Sequence, residues 1–317
     1  MDILATSQVL NIAKPVPKLS MDDENGEAEN LSYGLINSSF HSAGDVSDND
    51  KTVATPVEHI DISYTTPAPP SVPSICLYQL VDSSAPTGGF AHSNTLEAAC
   101  QLHFINEHYT LLGHTWEVLL QTTTTMIPFL VRSCELFQQA EMNTNWDAQL
   151  DRWEKLDHDL TATLTSHVSR RASSVQGSGI LRAYSGAFPQ IAPMIKSFKS
   201  RIVTPSDSLL ARNRGQSATC FGAVCGLLHI SPDQSAAMFL YTVARDLINA
   251  GVRMNLVGPI EGGYLINVLC SRISVVLERF FERRCSALEP CSAHQVAPLL
   301  EILANAHDRL YSRLFNS

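Results

Sequence analysis

The side chains that most often do chemistry are present in this chain but poorly spaced for it. His103, His108 and His114 stand five and six residues apart. Chelation from one helix face needs separations of three or four, so they read as structural or surface histidines. Cys220 and Cys225 are also five apart, and none of the eight cysteines (76, 100, 134, 220, 225, 270, 285, 291) forms a C-x-x-C pair. Most sit in apolar, helix-like stretches, as expected of reduced, buried thiols in a reducing compartment. The chain has no G-x-x-x-x-G-K-[ST] phosphate loop, no H-E-x-x-H and no G-x-S-x-G. Gly177-Ser178-Gly179 and Gly262-Gly263 follow no predicted strand, so they are not nucleotide fingerprints. No nucleophile, base and orienting group can be assembled, and an enzyme is the reading least supported.

Three other groupings are better suited to binding. The stretch from Gln79 to Glu97, QLVDSSAPTGGFAHSNTLE, places Pro86 at a bend. Gly88 and Gly89 then permit backbone angles that other residues resist. Phe90 returns an apolar anchor, Ser93 follows, and Asn94 reads as a helix cap with Glu97 three residues on. Arg245, Asn249 and Arg253 recur every four residues as a polar stripe on one helix. The end of the sequence gathers His307, Tyr311, Arg313, Leu314 and Phe315, a mixture of types favoured at interfaces.

The elements that must position these groups are helices. Residues 1–72 are rich in Ser, Asp, Asn, Thr and Pro, and 1–70 holds eleven acidic side chains against three basic ones. Such a segment is expected to be a disordered arm, because it buries too little to offset its ordering entropy. Most of the net charge of −9 lies there, and residues 73–317 form the folded part. No Lys/Arg-rich stripe with interleaved aromatics appears, which argues against nucleic acid.

Ile75, Leu77, Leu80 and Val81 predict a short helix, followed by helices over about 95–105 and 109–140, the latter interrupted near Pro128. Trp146, Leu150, Trp153, Leu156, Leu160 and Leu164 mark an amphipathic helix. Another spans 166–185. Residues 196–216 read as a connection or partly mobile loop. The small, apolar run 217–229 predicts a central, tightly packed helix. Ser231-Pro232-Asp233-Gln234 starts a helix to about Leu256. Gly262-Gly263 precedes one to about Cys285, and Ser292-x-x-Gln295 starts the last. The expected fold is an all-α bundle of roughly eight to ten helices. Neither a convincing signal peptide nor an 18-residue apolar run is apparent, so a cytoplasmic protein with no membrane span is expected.

Taken in order, several motifs resemble the urease accessory protein F (UreF) family. Leu80 to Glu97, through Pro86, Gly88, Gly89, Phe90, Ser93 and Leu96, matches its L-x-D/S-x-x-x-P-x-G-G-F/Y-x-x-S-x-x-L-E stretch. Gly251-Val252-Arg253 through Gly258 resembles A-G-V-R/K-L-x-x-x-G. Arg170-Arg171-Ala172-Ser173 with Gln176-Gly177 resembles the family's middle region. His307 and Tyr311–Ser317 resemble its H-x-x-x-Y-S-R-L-F-x-S tail. The departures are Asn94 after Ser93, the polar residues near 196–216 and the N-terminal arm.

The resemblance implies a non-catalytic, dimeric, all-α scaffold in urease maturation. Such a scaffold binds the D/H accessory protein, recruits and regulates the nickel-binding GTPase G, and docks on apo-urease. Nickel and GTP are handled by those partners, and no cofactor is bound directly. It also implies that Glu97 and Arg253 contact the GTPase, while Arg245 and Asn249 of the same polar stripe are read as partner-binding. The terminal segment from His307 through Tyr311, Arg313, Leu314 and Phe315 would pack on the D/H protein, and would be dispensable for the fold. The alternatives are a nickel carrier using His92, His103 or the cysteines, and a helical adaptor for unrelated partners.

Overall fold

The computed structural model describes residues 74–105, 110–138, 146–203, 214–282 and 289–317. All lie within the compact unit Tyr64–Ser317. The expectation of a disordered arm over 1–72 falls outside the described residues.

The described residues form ten α-helices and no strand, in agreement with the all-α expectation. The helices are α1 (Leu96–Gln101), α2 (Leu111–Thr125), α3 (Ile127–Gln138), α4 (Trp146–Thr163) and α5 (His167–Ala187). They continue as α6 (Ala192–Val203), α7 (Ser217–Leu227), α8 (Pro232–Arg253), α9 (Pro259–Glu282) and α10 (Pro298–His307). The short helix expected near Ile75 is a 3-10 helix, Ser74–Leu80.

The core is built around α7, every residue of which is buried. Its small side chains let α3 approach closely. A Cβ at Gly222 would lie 2.3 Å from the Leu130 carbonyl oxygen. Buried Asp157 of α4 caps α7 from outside, accepting the Gly215 and Gln216 N–H groups at 2.7 Å each and the Thr219 hydroxyl at 2.5 Å. These bonds satisfy N–H groups that a helix start leaves without internal partners.

The predicted break near Pro128 lies at Met126. Thr122, Thr123 and Thr125 turn their hydroxyls back onto the carbonyls of Val118, Leu119 and Gln121. This bonding satisfies buried hydroxyls but bends helices. Pro128 is the second residue of α3, where its missing N–H costs little.

Several boundaries differ from expectation. Residues 192–203 are helical rather than part of a loop. Ile195, Phe198 and Ile202 share one face, and the Phe198 ring lies 4.9 Å from that of Phe137 and 4.8 Å from that of Trp153. Residues 204–213 lie outside the described residues. Gly262 and Gly263 are inside α9, because Pro259 starts it and Gly262 lets it pack on Ile248 and Val252. The last helix begins at Pro298, since the Gln121 side-chain oxygen takes the Val296 and Ala297 N–H groups at 2.8 and 2.9 Å.

No run of 18 uninterrupted apolar residues occurs, but one helix comes near to it. Helix α9 is long and apolar enough, by length and composition, to cross a membrane, and only 22 % of its most apolar stretch is buried. Ile260 and Tyr264 stand exposed on it, at 90 % and 58 %. Among the described cysteines, Cys134, Cys220 and Cys225 are buried as expected, Cys291 is exposed, and Cys76, Cys100 and Cys270 lie between; all seven are free. Burial pushes the Cys134 thiol up to about 11.

Candidate docking site

The Gly-Gly loop and the end of the chain, far apart in sequence, meet on one surface. Gly88 takes a left-handed φ of 89°, and the chain turns into a short 3-10 segment, Gly89–Ala91. Gly89 has no room for a side chain, as a Cβ there would lie 2.0 Å from the Asp246 carboxylate of α8. Burial raises the Asp246 carboxyl, and Arg245 opposes that shift by holding its Oδ1 at 2.9 and 2.7 Å. Arg245 also donates to the Val81 carbonyl, so it ties the loop to α8 from beneath.

Asn94 does not cap α1. Asn94 and Thr95 have left-handed φ values of 47° and 75°, and the Ser93 hydroxyl accepts the Glu97 N–H at 3.4 Å. Glu97 therefore points away from the helix start and toward residues 308–317, which lie across the loop as a strap. Its Oε1 accepts the Leu314 N–H at 2.6 Å, and Oε2 accepts the Phe315 N–H at 3.2 Å. His307 lies 3.1 Å from Oε2. At 3 % exposure, Glu97 is buried.

Further bonds close the strap. Asn316 N–H donates to the Ala91 carbonyl at 2.9 Å. The Ser317 carbonyl accepts both the N–H and the hydroxyl of Ser93, at 2.6 and 2.9 Å. Ser317 Oγ is 2.7 Å from His92 Nδ1, and Gln101 donates to the Ser312 carbonyl at 2.9 Å. At the strap's root, Asp308 gathers Arg171 at 2.8 Å, His167 at 2.9 Å and Arg313 at 3.3 Å. Hydrogen bonding from Arg171, then from His167, holds the Asp308 carboxyl down to about 2.

The outer side of this assembly is apolar and cationic. The Arg253 guanidinium sits 4.4 Å from the ring centroids of both Phe90 and Phe315, and donates to the Phe90 carbonyl at 2.5 Å. Phe315 is buried, whereas Phe90 is 70 % and Leu314 65 % exposed, with Tyr311 fully exposed. Arg313 and Asn249 also face solvent.

The nine residues read from sequence as partner contacts thus divide. Arg253, Asn249, Tyr311, Arg313 and Leu314 are exposed; Glu97, Arg245, His307 and Phe315 are buried. This corrects the reading of Glu97 as a surface contact, because its carboxylate is already occupied by the strap. Removing the terminal segment would uncover Glu97 and leave its carboxylate without the Leu314 and Phe315 N–H groups. Pro86, Gly88, Gly89, Phe90 and Ser93 form the loop as expected. Asp246, Asp308 and Gln101 were not singled out by sequence; Asp308 and Gln101 find Arg171 and the Ser312 carbonyl far along the chain, and Asp246 stands beside Arg245 but owes its place under Gly89 to the fold. Among the described residues, no group of three or more His, Cys, Asp or Glu side chains comes together to hold a metal ion.

The chain is similar to known proteins over most of its length. The family model for UreF matches residues 111–269. "Urease accessory protein F" of Arabidopsis thaliana is 34% identical over 240 residues, covering 76% of this chain and 91% of that protein. "Urease accessory protein 6" of Cryptococcus neoformans is 23% identical over 310 residues, covering 76% and 96%. "Urease accessory protein UreF" of Arthrobacter sp. (strain FB24) is 24% identical, covering 77% and 96%. On the strength of the family match and the first of these relatives, this chain belongs to the UreF family.

Proposed function

We propose that this chain acts in urease maturation as an accessory protein, a docking scaffold rather than a catalyst. Membership of the UreF family supports the role in urease maturation. In this reading it binds the D/H accessory protein, recruits and regulates the nickel-binding GTPase G, and brings both to apo-urease in the cytoplasm. Nickel and GTP stay with the partners.

The observation that carries the reading is the exposed face of Phe90, Arg253, Tyr311 and Leu314, fixed on a loop and strap locked by a buried carboxylate. Exposed aromatic and Arg side chains on rigid backbone are the composition of an interface centre, and Leu314 adds apolar area beside them. Arg253 adds charge that selects and orients a partner more than it adds affinity. The uncovered apolar side chains Ile260 and Tyr264 of α9 support a homodimer within the complex. The test is co-purification of D/H and G with a Tyr311→Ala/Leu314→Ala variant. Loss of capture with unchanged melting supports docking through this face, and undiminished capture of both partners rejects it.

A further inference from the structure

The strap closes over two buried imidazoles. His92 and His307 are 3 % and 0 % exposed, and His92 Nε2 and His307 Nδ1 have no hydrogen-bond partner. The other nitrogens are used, His92 Nδ1 against Ser317 Oγ at 2.7 Å and His307 Nε2 against Glu97 at 3.1 Å. A neutral imidazole tolerates a bare nitrogen. A protonated one has two donors, and on His92 the second would lie buried without an acceptor, which is costly.

The surrounding charges make this worse. Arg171 of α5 and His307 of α10 both oppose a cation on His92. Neither nearby carboxylate is bonded to it. Glu97 of α1 is occupied by His307, Gln101 and the strap's backbone. Asp308 of α10 is occupied by Arg171, His167 and Arg313. Arg253 of α8 stacks on the strap's Phe315 and adds a further positive charge.

We propose that strap 308–317 is a proton-coupled latch, closing over neutral His92 and opening with the uptake of one proton by that imidazole. The proton comes from solvent, no covalent bond is broken, and the latch works without any partner.

Burial, followed by Arg171 and His307, holds His92 down at about 4 against an ordinary 6.5. Opening exposes the ring and restores the ordinary value. Closure is therefore at full strength above pH 6.5 and weakens as pH falls from 6.5 to about 4. One proton gives a change that approaches tenfold per pH unit mid-window, roughly 80-fold between pH 6.5 and 4. His114 of α2 is also held at about 4 by burial, but its ring contacts Thr95 rather than the strap. Its protonation weakens the whole fold, so the readout must be local.

The experiment is amide hydrogen exchange on the full chain between pH 6.5 and 4.5, corrected for intrinsic pH dependence. It is read at Ser93, Leu314, Phe315 and Asn316 relative to buried amides of α7. The expected result is a strap-opening constant that rises roughly 40-fold from pH 6.5 to 4.5 in the wild type. In His92→Gln, which keeps a polar group opposite Ser317 without titrating, it should be flat. Opening independent of pH in the wild type, or an unchanged slope in His92→Gln, overturns the proposal. Should His92→Gln fail to fold, Ser317→Ala serves instead. It should open more readily at pH 6.5 yet keep the wild-type slope, and loss of that slope would overturn the latch.

Discussion

Arg253 lies between Phe90 and Phe315, its guanidinium carbon 4.4 Å from each ring centroid, one ring exposed and the other buried. One side chain of α8 thereby joins the Gly-Gly loop to the strap. Each cation–π contact at such a half-open site contributes about 0.5–1 kcal/mol. Arg253→Ala should therefore lower stability by only about 1–2 kcal/mol while reducing partner capture about tenfold or more. Arg253→Lys should restore little of the capture, because an ammonium lacks the planar group that stacks on two rings. Calorimetry and co-purification of the two variants separate these effects, and capture equal to wild type in Arg253→Ala would count against the docking face.

Glu97 makes its contribution from below. Glu97→Ala leaves the Leu314 and Phe315 N–H groups and the His307 ring without their acceptor in a buried site. Each orphaned group costs about 1–3 kcal/mol unless the strap lifts away. The expected outcome is a released strap rather than an unfolded bundle. Exchange protection should be lost at residues 314–316 and retained in α7. Equal loss in both places would show that Glu97 supports the whole fold instead.

Asp308 gives the strap's root a second acid dependence. Its folded-state carboxyl is held at about 2, below the ordinary 3.8, by Arg171 and His167. The contribution is thus complete above the unfolded value and is lost as pH falls through about 2. It adds nothing to the change between pH 6.5 and 4.5. Asp308→Asn should loosen the strap at neutral pH and remove the lowest-pH part of the acid transition. Proteolytic sensitivity of the terminal segment against pH reads both effects.

Gly89 packs against Asp246 with no space for a methyl group. Gly89→Ala forces either the loop or the carboxylate to move, a change of about 1–3 kcal/mol. Loss of capture should accompany the loss of stability, because Phe90 is displaced along with its neighbour. A variant that melts like the wild type and captures partners normally would show that the close approach is not needed.

Much of this architecture was legible in sequence because it is local. The heptad-like spacing of Trp146, Leu150 and Trp153, the cap at Ser231-Pro232 and the small residues of 217–227 each specify a helix through neighbours a turn away. The loop was legible for the same reason, since Pro86, Gly88 and Gly89 act on the backbone where they stand. Partnerships across the chain were not. Glu97 looks like a capping acid until residues 314 and 315 arrive more than two hundred positions later. Asp308 looks like a surface acid beside Arg309, but its ion-pair partners lie on α5 and the strap. Helix α6 was hidden by the polar residues around Ile195 and Phe198, whose burial depends on Phe137 and Trp153 from other helices.

The most direct test of the docking account uses cells that lack this chain, complemented with Tyr311→Ala/Leu314→Ala, two exposed side chains that the fold does not bury. Urease activity and urease-bound nickel are measured beside the melting temperature and strap protection of the purified variant. The account predicts urease left largely without nickel and activity down at least about tenfold, with melting and protection unchanged. Fully active, nickel-loaded urease in those cells would contradict it.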